Sequence, residues 1–298
     1  MNRDTAGFLA LAALWGTAFV ATKAALADFP PVLLAALRFD VAAAVLVVVA
    51  VAGGRRLRPT GWGDITPILT GGAFSIGLHH ALLFTGQQYV TSAVAATLLG
   101  LIPVLTPMAT RALRSDERLD AVGTVGVLVG FGGLVLIADP DLGTLAGNLG
   151  ALFVFGSAVA WVAGAVTTRE DDATLGPLAL QAWMALVGAG LLHVAAVALG
   201  QPIGGLDPTQ AGVAWLLYLA VVPGAGGFLL YFRLLDRLGP IRTGLLEYAI
   251  PPFAALFGFL VLEETLAGNT VAGFACILVA FLLVQRGPIR AALRRQFD

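Results

Sequence analysis

Ten apolar runs alternate with short polar gaps along the chain. They cover about 5–26, 31–52, 65–86, 92–111 and 120–138, then 147–167, 176–199, 211–232, 242–262 and 268–285. Each has roughly the 20 residues needed to cross a hydrocarbon core as a helix. A segment surrounded by lipid must satisfy its own backbone hydrogen bonds, so all ten are predicted to be helical. The gaps are short, so consecutive helices are expected to be antiparallel neighbours. Asp139-Pro140-Asp141-Leu142-Gly143 is the clearest break and falls halfway along the chain.

The two halves repeat. Trp15 and Lys23 in the first run are echoed 146 positions later by Trp161 and Arg169, and Pro31 by Pro177. Ile102-Pro103 matches Ile250-Pro251 at an offset of 148, and Asp116-Glu117 matches Glu263-Glu264 at 147. Five runs per half is an odd number, so the second half enters the membrane from the opposite side. The predicted fold is an all-α integral membrane protein of ten transmembrane helices in two inverted five-helix repeats. These repeats cover 1–139 and 145–286, and a basic tail follows at 287–298. Inverted repeats suit a carrier in which one half rocks against the other around a central site.

Charge sets the orientation. One set of gaps, with the two ends, holds Arg3, Arg55, Arg56, Arg58, Arg111, Arg114, Arg118, Arg169, Arg233, Arg237, Arg242, Arg286, Arg290, Arg294 and Arg295. That is fifteen of the 17 basic residues, and the five gaps on the other side hold none. Basic loops stay cytoplasmic, so both termini are expected inside a plasma or inner membrane. At 12% charged residues, against about 25% in soluble domains, no room is expected for a soluble domain. Arg3, the run Phe8 to Val20 and Ala25-Leu26-Ala27 mimic a signal peptide. The same pattern recurs mid-chain, which a cleavable segment does not do. The single cysteine, Cys276, excludes an internal disulfide and any thiolate zinc or iron–sulfur site.

Leu14-Trp15-Gly16-Thr17-Ala18-Phe19-Val20, Leu37-Arg38-Phe39, Thr91-Ser92-Ala93, Pro103 and Pro251-Pro252-Phe253-Ala254-Ala255-Leu256-Phe257-Gly258 occur in that order, with the doubled acidic pairs. In these features the chain resembles the drug/metabolite transporter superfamily, in its EamA-type ten-helix branch. The resemblance spans essentially the full length. It implies export of small metabolites, with amino acids or related zwitterions as the leading class. Asp40 departs from the pattern at an apolar position, and Pro107 is expected to add a second break to the fourth helix.

A charge near mid-bilayer costs roughly 2.5–3.5 kcal/mol on insertion scales, so embedded ionisable groups come first. These are Lys23, Arg38, Asp40, His79, His80, His193 and Glu247. By the repeat offsets Arg38 aligns with Met184 of the other half, Asp40 with Leu186, Glu247 with Leu99, and His79 and His80 with Gly227 and Phe228. A group present in one half only is not demanded by the shared fold. Arg38 either pairs with a substrate carboxylate or fastens helices through backbone carbonyls or a nearby acid. Lys23 either snorkels or binds substrate. His79 and His80 are about 100° apart on a helix, so at most one is expected to face a cavity. His193 is expected to pack between helices.

Trp15 and Trp161 lie deeper than interfacial tryptophans and are candidate aromatic walls, with Tyr231 and more weakly Trp183. Tyr248 joins the substrate-contact candidates beside Glu247. Glu247 shares a helix face with Pro251 and is the candidate proton-coupling group; the alternative is an interfacial acid bonded to Tyr248 or to loop arginines. Glycines 123, 126, 130 and 133 form a stripe for close helix packing. No catalytic, metal or cofactor site is expected. Without a nucleotide-binding loop, the chain itself does not use ATP.

The expected function is a secondary transporter of small metabolites across a lipid bilayer, with no nucleic-acid partner, as a monomer or weak homodimer. Two alternatives stand beside it. A multidrug or cationic-compound exporter would use Glu247 in an aromatic cage, against which Lys23 and Arg38 count. An intramembrane enzyme would need a catalytic cluster that helical spacing does not supply.

Overall fold

The computed structural model describes residues 3–114, 121–138, 145–168, 173–202, 204–284 and 286. The central break at 139–143, the acidic pair Asp116-Glu117, Arg169 and the tail from 287 lie outside the described residues. Every regular element among the described residues is helical. The ten helices are α1 (Arg3–Ala25), α2 (Pro31–Ala52), α3 (Trp62–Gln87), α4 in two pieces (Ser92–Leu99 and Ile102–Arg114) and α5 (Ala121–Ala138). The second half has α6 (Leu145–Thr167), α7 (Pro177–Ala198), α8 (Gln210–Leu238), α9 (Leu246–Leu262) and α10 (Gly268–Val284). Seven are long and apolar enough to cross a membrane, and the other three are shorter apolar helices. The protein is a ten-helix integral membrane protein. The face carrying the start of α1 is called the N-terminal face below, and the opposite one the far face.

Helix ends follow local chemistry. Pro31 and Pro177 open α2 and α7, where a missing N–H costs nothing. Thr91 and Thr209 cap α4 and α8, their hydroxyls accepting from the amides of Val94 and Gly212. The break in α4 falls at Gly100 and Leu101, just before Pro103, and the helix runs on through Pro107. Pro107 therefore adds no second break. α9 likewise runs through Pro251 and Pro252. Helical structure at the end of α8 continues to Gly244, into the expected polar gap, and stops at Leu245.

The main helix contacts interchange when the halves are exchanged. α2 pairs with α7, and α5 with α10. α1 packs on α9 as α6 packs on α4, and α3 packs on α6 as α8 packs on α1. The glycine stripe of α5 lets α10 approach closely: a Cβ on Gly133 would stand 2.7 Å from the carbonyl oxygen of Gly273. Loops repeat the relation at opposite faces. The buried Asp64 accepts from the amides of Thr174 (2.7 Å) and Leu175 (2.9 Å). Across the membrane, Asp28 accepts from the amide and hydroxyl of Thr209.

Both third helices also carry a π-helical stretch, Gly71–Leu78 in α3 and Ala220–Gly226 in α8. Pro223 sits inside the second and removes a backbone donor there. Close packing holds the first. A Cβ on Gly188 would collide with Ile76, and one on Gly164 with Ser75. π-helical turns concentrate at functional sites, and here each precedes a residue that faces the centre of the molecule.

Candidate functional site: a cavity between the repeats

A cavity of about 670 Å³ lies between the halves. Its inner end is lined by Thr22, Arg38, His79, His80, Phe84 and Gln87, all buried. At the other end it reaches Thr168, Leu235, Asp236 and Glu247, near the N-terminal face. Asp236 is exposed, and Thr168, Leu235 and Glu247 are partly so. The cavity is therefore sealed toward the far face and open toward the N-terminal face.

Aromatic side chains form its walls. Trp15 stacks on Tyr231 at 5.5 Å between centroids and meets Phe228 edge-on at 6.2 Å. Its Nε1 donates to the carbonyl of Pro223 at 3.2 Å, so the π-helical stretch of α8 fixes the ring. Trp161 takes the equivalent place against α3 and meets the His79 ring edge-on at 5.1 Å. Phe228 falls opposite His80 in the repeat, so the symmetry exchanges an aromatic partner for imidazoles.

Both histidines line the cavity, against the expectation that at most one would. The lining face of α3 is wide there, since Ser75, Ile76, Leu83 and Phe84 border the cavity as well. His79 Nδ1 bonds the carbonyl of Ser157 at 2.9 Å and His80 Nδ1 that of Ile76 at 3.0 Å. Their rings are 4.5 Å apart, and His80 also packs against Phe39 and Phe84. A carbonyl can only accept, so each Nδ1 carries the proton. In the neutral ring Nε2 is then an acceptor.

Arg38 is 8% exposed. Its guanidinium carbon lies 4.7 Å from the centroid of Phe39 and 5.7 Å from that of Phe84. Its Nε has no hydrogen-bond partner. Asp40 instead faces away and meets His193 Nε2 at 2.7 Å across the α2–α7 contact, so His193 joins helices as expected.

Seven of the nine candidates thus come together: Trp15, Arg38, His79, His80, Trp161, Tyr231 and Glu247. Lys23 and Tyr248 are not among the lining residues. Lys23 donates to the carbonyls of Gln87, Gln88 and Val90. Tyr248 packs its ring on Phe281 at 4.6 Å. Trp183 donates to the carbonyl of Leu57 at 2.7 Å, away from the cavity. Glu247 makes no ion pair or hydrogen bond among the described residues, and so is not held by Tyr248. Sequence reasoning missed Gln87 and Gln181. Both are buried cavity-lining amides with one unpartnered atom, Oε1 and Nε2 respectively. The available signal was an amide inside, or at the end of, an apolar run.

Inverted five-helix repeats around a cavity open at one end define a membrane protein of transporter architecture. The chain belongs to the EamA-like transporter family, whose pattern matches residues 5–138 and 148–286. An uncharacterized transporter of Archaeoglobus fulgidus is 27% identical over 275 residues, covering 91% of this chain and 95% of its own. Protein PecM of Dickeya dadantii is 27% identical, over 91% of this chain and 89% of its own. The uncharacterized inner membrane transporter YedA of Escherichia coli is 26% identical, over 93% and 89%. One solved crystal structure, 24% identical, agrees with a TM-score of 0.65 over 95% of this chain and 97% of its own, a likeness in fold alone.

Proposed function

We propose that the protein is an inner-membrane secondary transporter that exports small metabolites such as amino acids by alternating access. The carrying observation is the cavity of about 670 Å³ between inverted repeats, sealed at one end and open at the other. That volume is in the range of small-molecule sites, about 300–1,000 Å³. Aromatic walls with few polar groups suit an amphipathic solute. In this reading residues 1–139 and 145–286 are the two rocking repeats. The arginine-bearing gaps put the N-terminal face in the cytoplasm, so the cavity opens where an exporter loads. YedA, an inner membrane transporter by name, supports the location.

The test is transport by purified protein in liposomes, with labelled amino acids, nucleosides and cationic dyes, with and without a pH gradient. Accumulation or counterflow of amino acids above protein-free vesicles is the expected result. Transport of the dyes alone would replace this reading with a cationic-compound exporter, and no transport of any class would refute it.

A further inference from the structure

Arg38 is the unexplained group at the sealed end of the cavity. Its neighbours are accounted for. The histidine Nδ1 atoms bond carbonyls, Thr22 donates to Ala18 at 2.8 Å, and Gln87 Nε2 donates to Phe19 at 3.1 Å. Arg38 has neither an acid nor a carbonyl bonded to it among the described residues. Two aromatic faces offset part of its lost hydration. They do not satisfy the buried Nε–H, which has no partner, and a buried donor without a hydrogen bond is expensive.

The fold does not require this expense. The equivalent position in the other repeat is Met184, which also lines the cavity. An apolar side chain of similar length therefore serves the shared architecture. The remaining explanation is a ligand that arrives with its own acceptors.

The surroundings narrow its chemistry. Lys23, the nearest other basic residue in sequence, is spent on three carbonyls. A single guanidinium matches one planar negative charge, which it grips with two parallel bonds. Lining the same end are Gln87 Oε1, which has no protein donor, and the histidine rings, whose Nε2 is the acceptor when Nδ1 carries the proton. These suit N–H or O–H groups next to the charge.

We propose that the sealed end of the cavity is a carboxylate-docking subsite in which Arg38 binds the substrate's carboxylate. The substrate body lies between Trp15, Tyr231 and Trp161. This rests on the transporter reading above and adds to it the charge of the substrate and the end that enters first. Amines and cationic dyes are refused at this end because they would face an unpaired guanidinium.

The experiment is equilibrium binding to the purified full-length protein in nanodiscs, using benzoate, benzamide and benzylamine. The three share a body and differ in charge. Benzoate is expected to bind at least about tenfold more tightly than the other two, the order expected for a charge-assisted pair. Arg38→Met, which installs the other repeat's side chain, should erase the preference, bringing benzoate down to the affinity of benzamide. Arg38→Lys should fall between. Benzoate binding unaltered in Arg38→Met, or benzylamine bound best by the wild type, overturns the subsite. If Arg38→Met does not fold, the wild-type order and Arg38→Lys decide. Binding needs no transport, so the two readings fail separately. A benzoate preference in a protein that moves no solute refutes transport and leaves the subsite. Dye transport that benzoate cannot inhibit refutes the subsite and leaves transport.

Discussion

Lys23 Nζ donates to the backbone carbonyl of Gln87 at 2.7 Å, and through this bond α1 holds the last turn of α3. The carbonyls of Gln88 and Val90 accept from the same ammonium, at 3.2 and 2.9 Å. The end of a helix leaves carbonyls without donors and carries partial negative charge, and a cation there answers both. Glu264, between α9 and α10, serves the opposite need at the start of α4. Its carboxylate accepts from the Ser92 amide at 2.9 and 3.1 Å. A cation of one repeat and an anion of the other thus clasp the α3–α4 turn over the sealed end of the cavity.

If the far face opens during transport, this clasp must release. Lys23→Met keeps the stem and removes the three donors. In a Cys276→Ala background, a cysteine at the buried, cavity-lining Thr22 should react with an impermeant thiol reagent from the far face. The rate should rise about tenfold in the Lys23→Met protein, the scale of losing charge-assisted hydrogen bonds. Glu264→Gln should act in the same direction. Equal rates with and without Lys23 would make it a structural cap with no part in access.

Orientation has its own test. Gly143 and Arg295 lie outside the described residues, on opposite sides of the proposed topology. Cysteines placed at each in intact cells should be labelled from outside at Gly143 and protected at Arg295. Labelling at Arg295 would reverse the topology and make the cavity open outward.

Helix number and the twofold repeat were legible because hydrocarbon thickness fixes span length and because the repeat offsets survive in Trp15 and Trp161, Pro31 and Pro177. Pairing was not: short gaps argued for consecutive neighbours, but the main contacts join non-consecutive helices, α2 with α7 and α5 with α10. The site was legible where chemistry is expensive: Arg38, His79, His80 and Glu247 stand out in apolar runs. The π-helical stretches were not. A slip in the hydrogen-bond ladder leaves little trace in composition, and Pro223 is the one local sign. Both histidines reach the cavity, although their 100° spacing argued for one, because the face of α3 that borders it is wide: Ile76, Leu83 and Phe84 line it too. Lys23 could not be placed because its partners are backbone carbonyls, which every residue has.

Of the five tryptophans, Trp15 and Trp161 line the cavity, while Trp62 is 77% exposed. A transported solute should therefore quench a distinct part of the fluorescence, and Trp15→Ala should remove most of that change. Trp15→Phe keeps a ring against Tyr231 but loses the bond to Pro223, so it should retain binding with weaker affinity. An unchanged quench in folded Trp15→Ala protein assigns the ring to packing alone.

Glu247 carries the coupling hypothesis. It stands near the open end of the cavity, unpaired among the described residues, in the first turn of α9. Leu99 occupies its place in the other repeat, so the fold does not demand an acid there. Pro251 lacks the amide that would have bonded the Glu247 carbonyl, which loosens this turn. Asp236 on α8 is the other acid lining this end, and Tyr248 is the titratable neighbour of Glu247 in sequence. An acid that faces the cytoplasm in one state and the cavity in another can carry a proton against the substrate's movement. Glu247→Gln keeps the shape and fixes the uncharged form. The expected result is loss of accumulation driven by a pH gradient, with substrate-for-substrate counterflow retained. Asp236→Asn should leave both intact. If Glu247→Gln protein still accumulates substrate like the wild type, the coupling proton travels elsewhere. If the wild type ignores the pH gradient altogether, transport is downhill and Glu247 has no proton to carry.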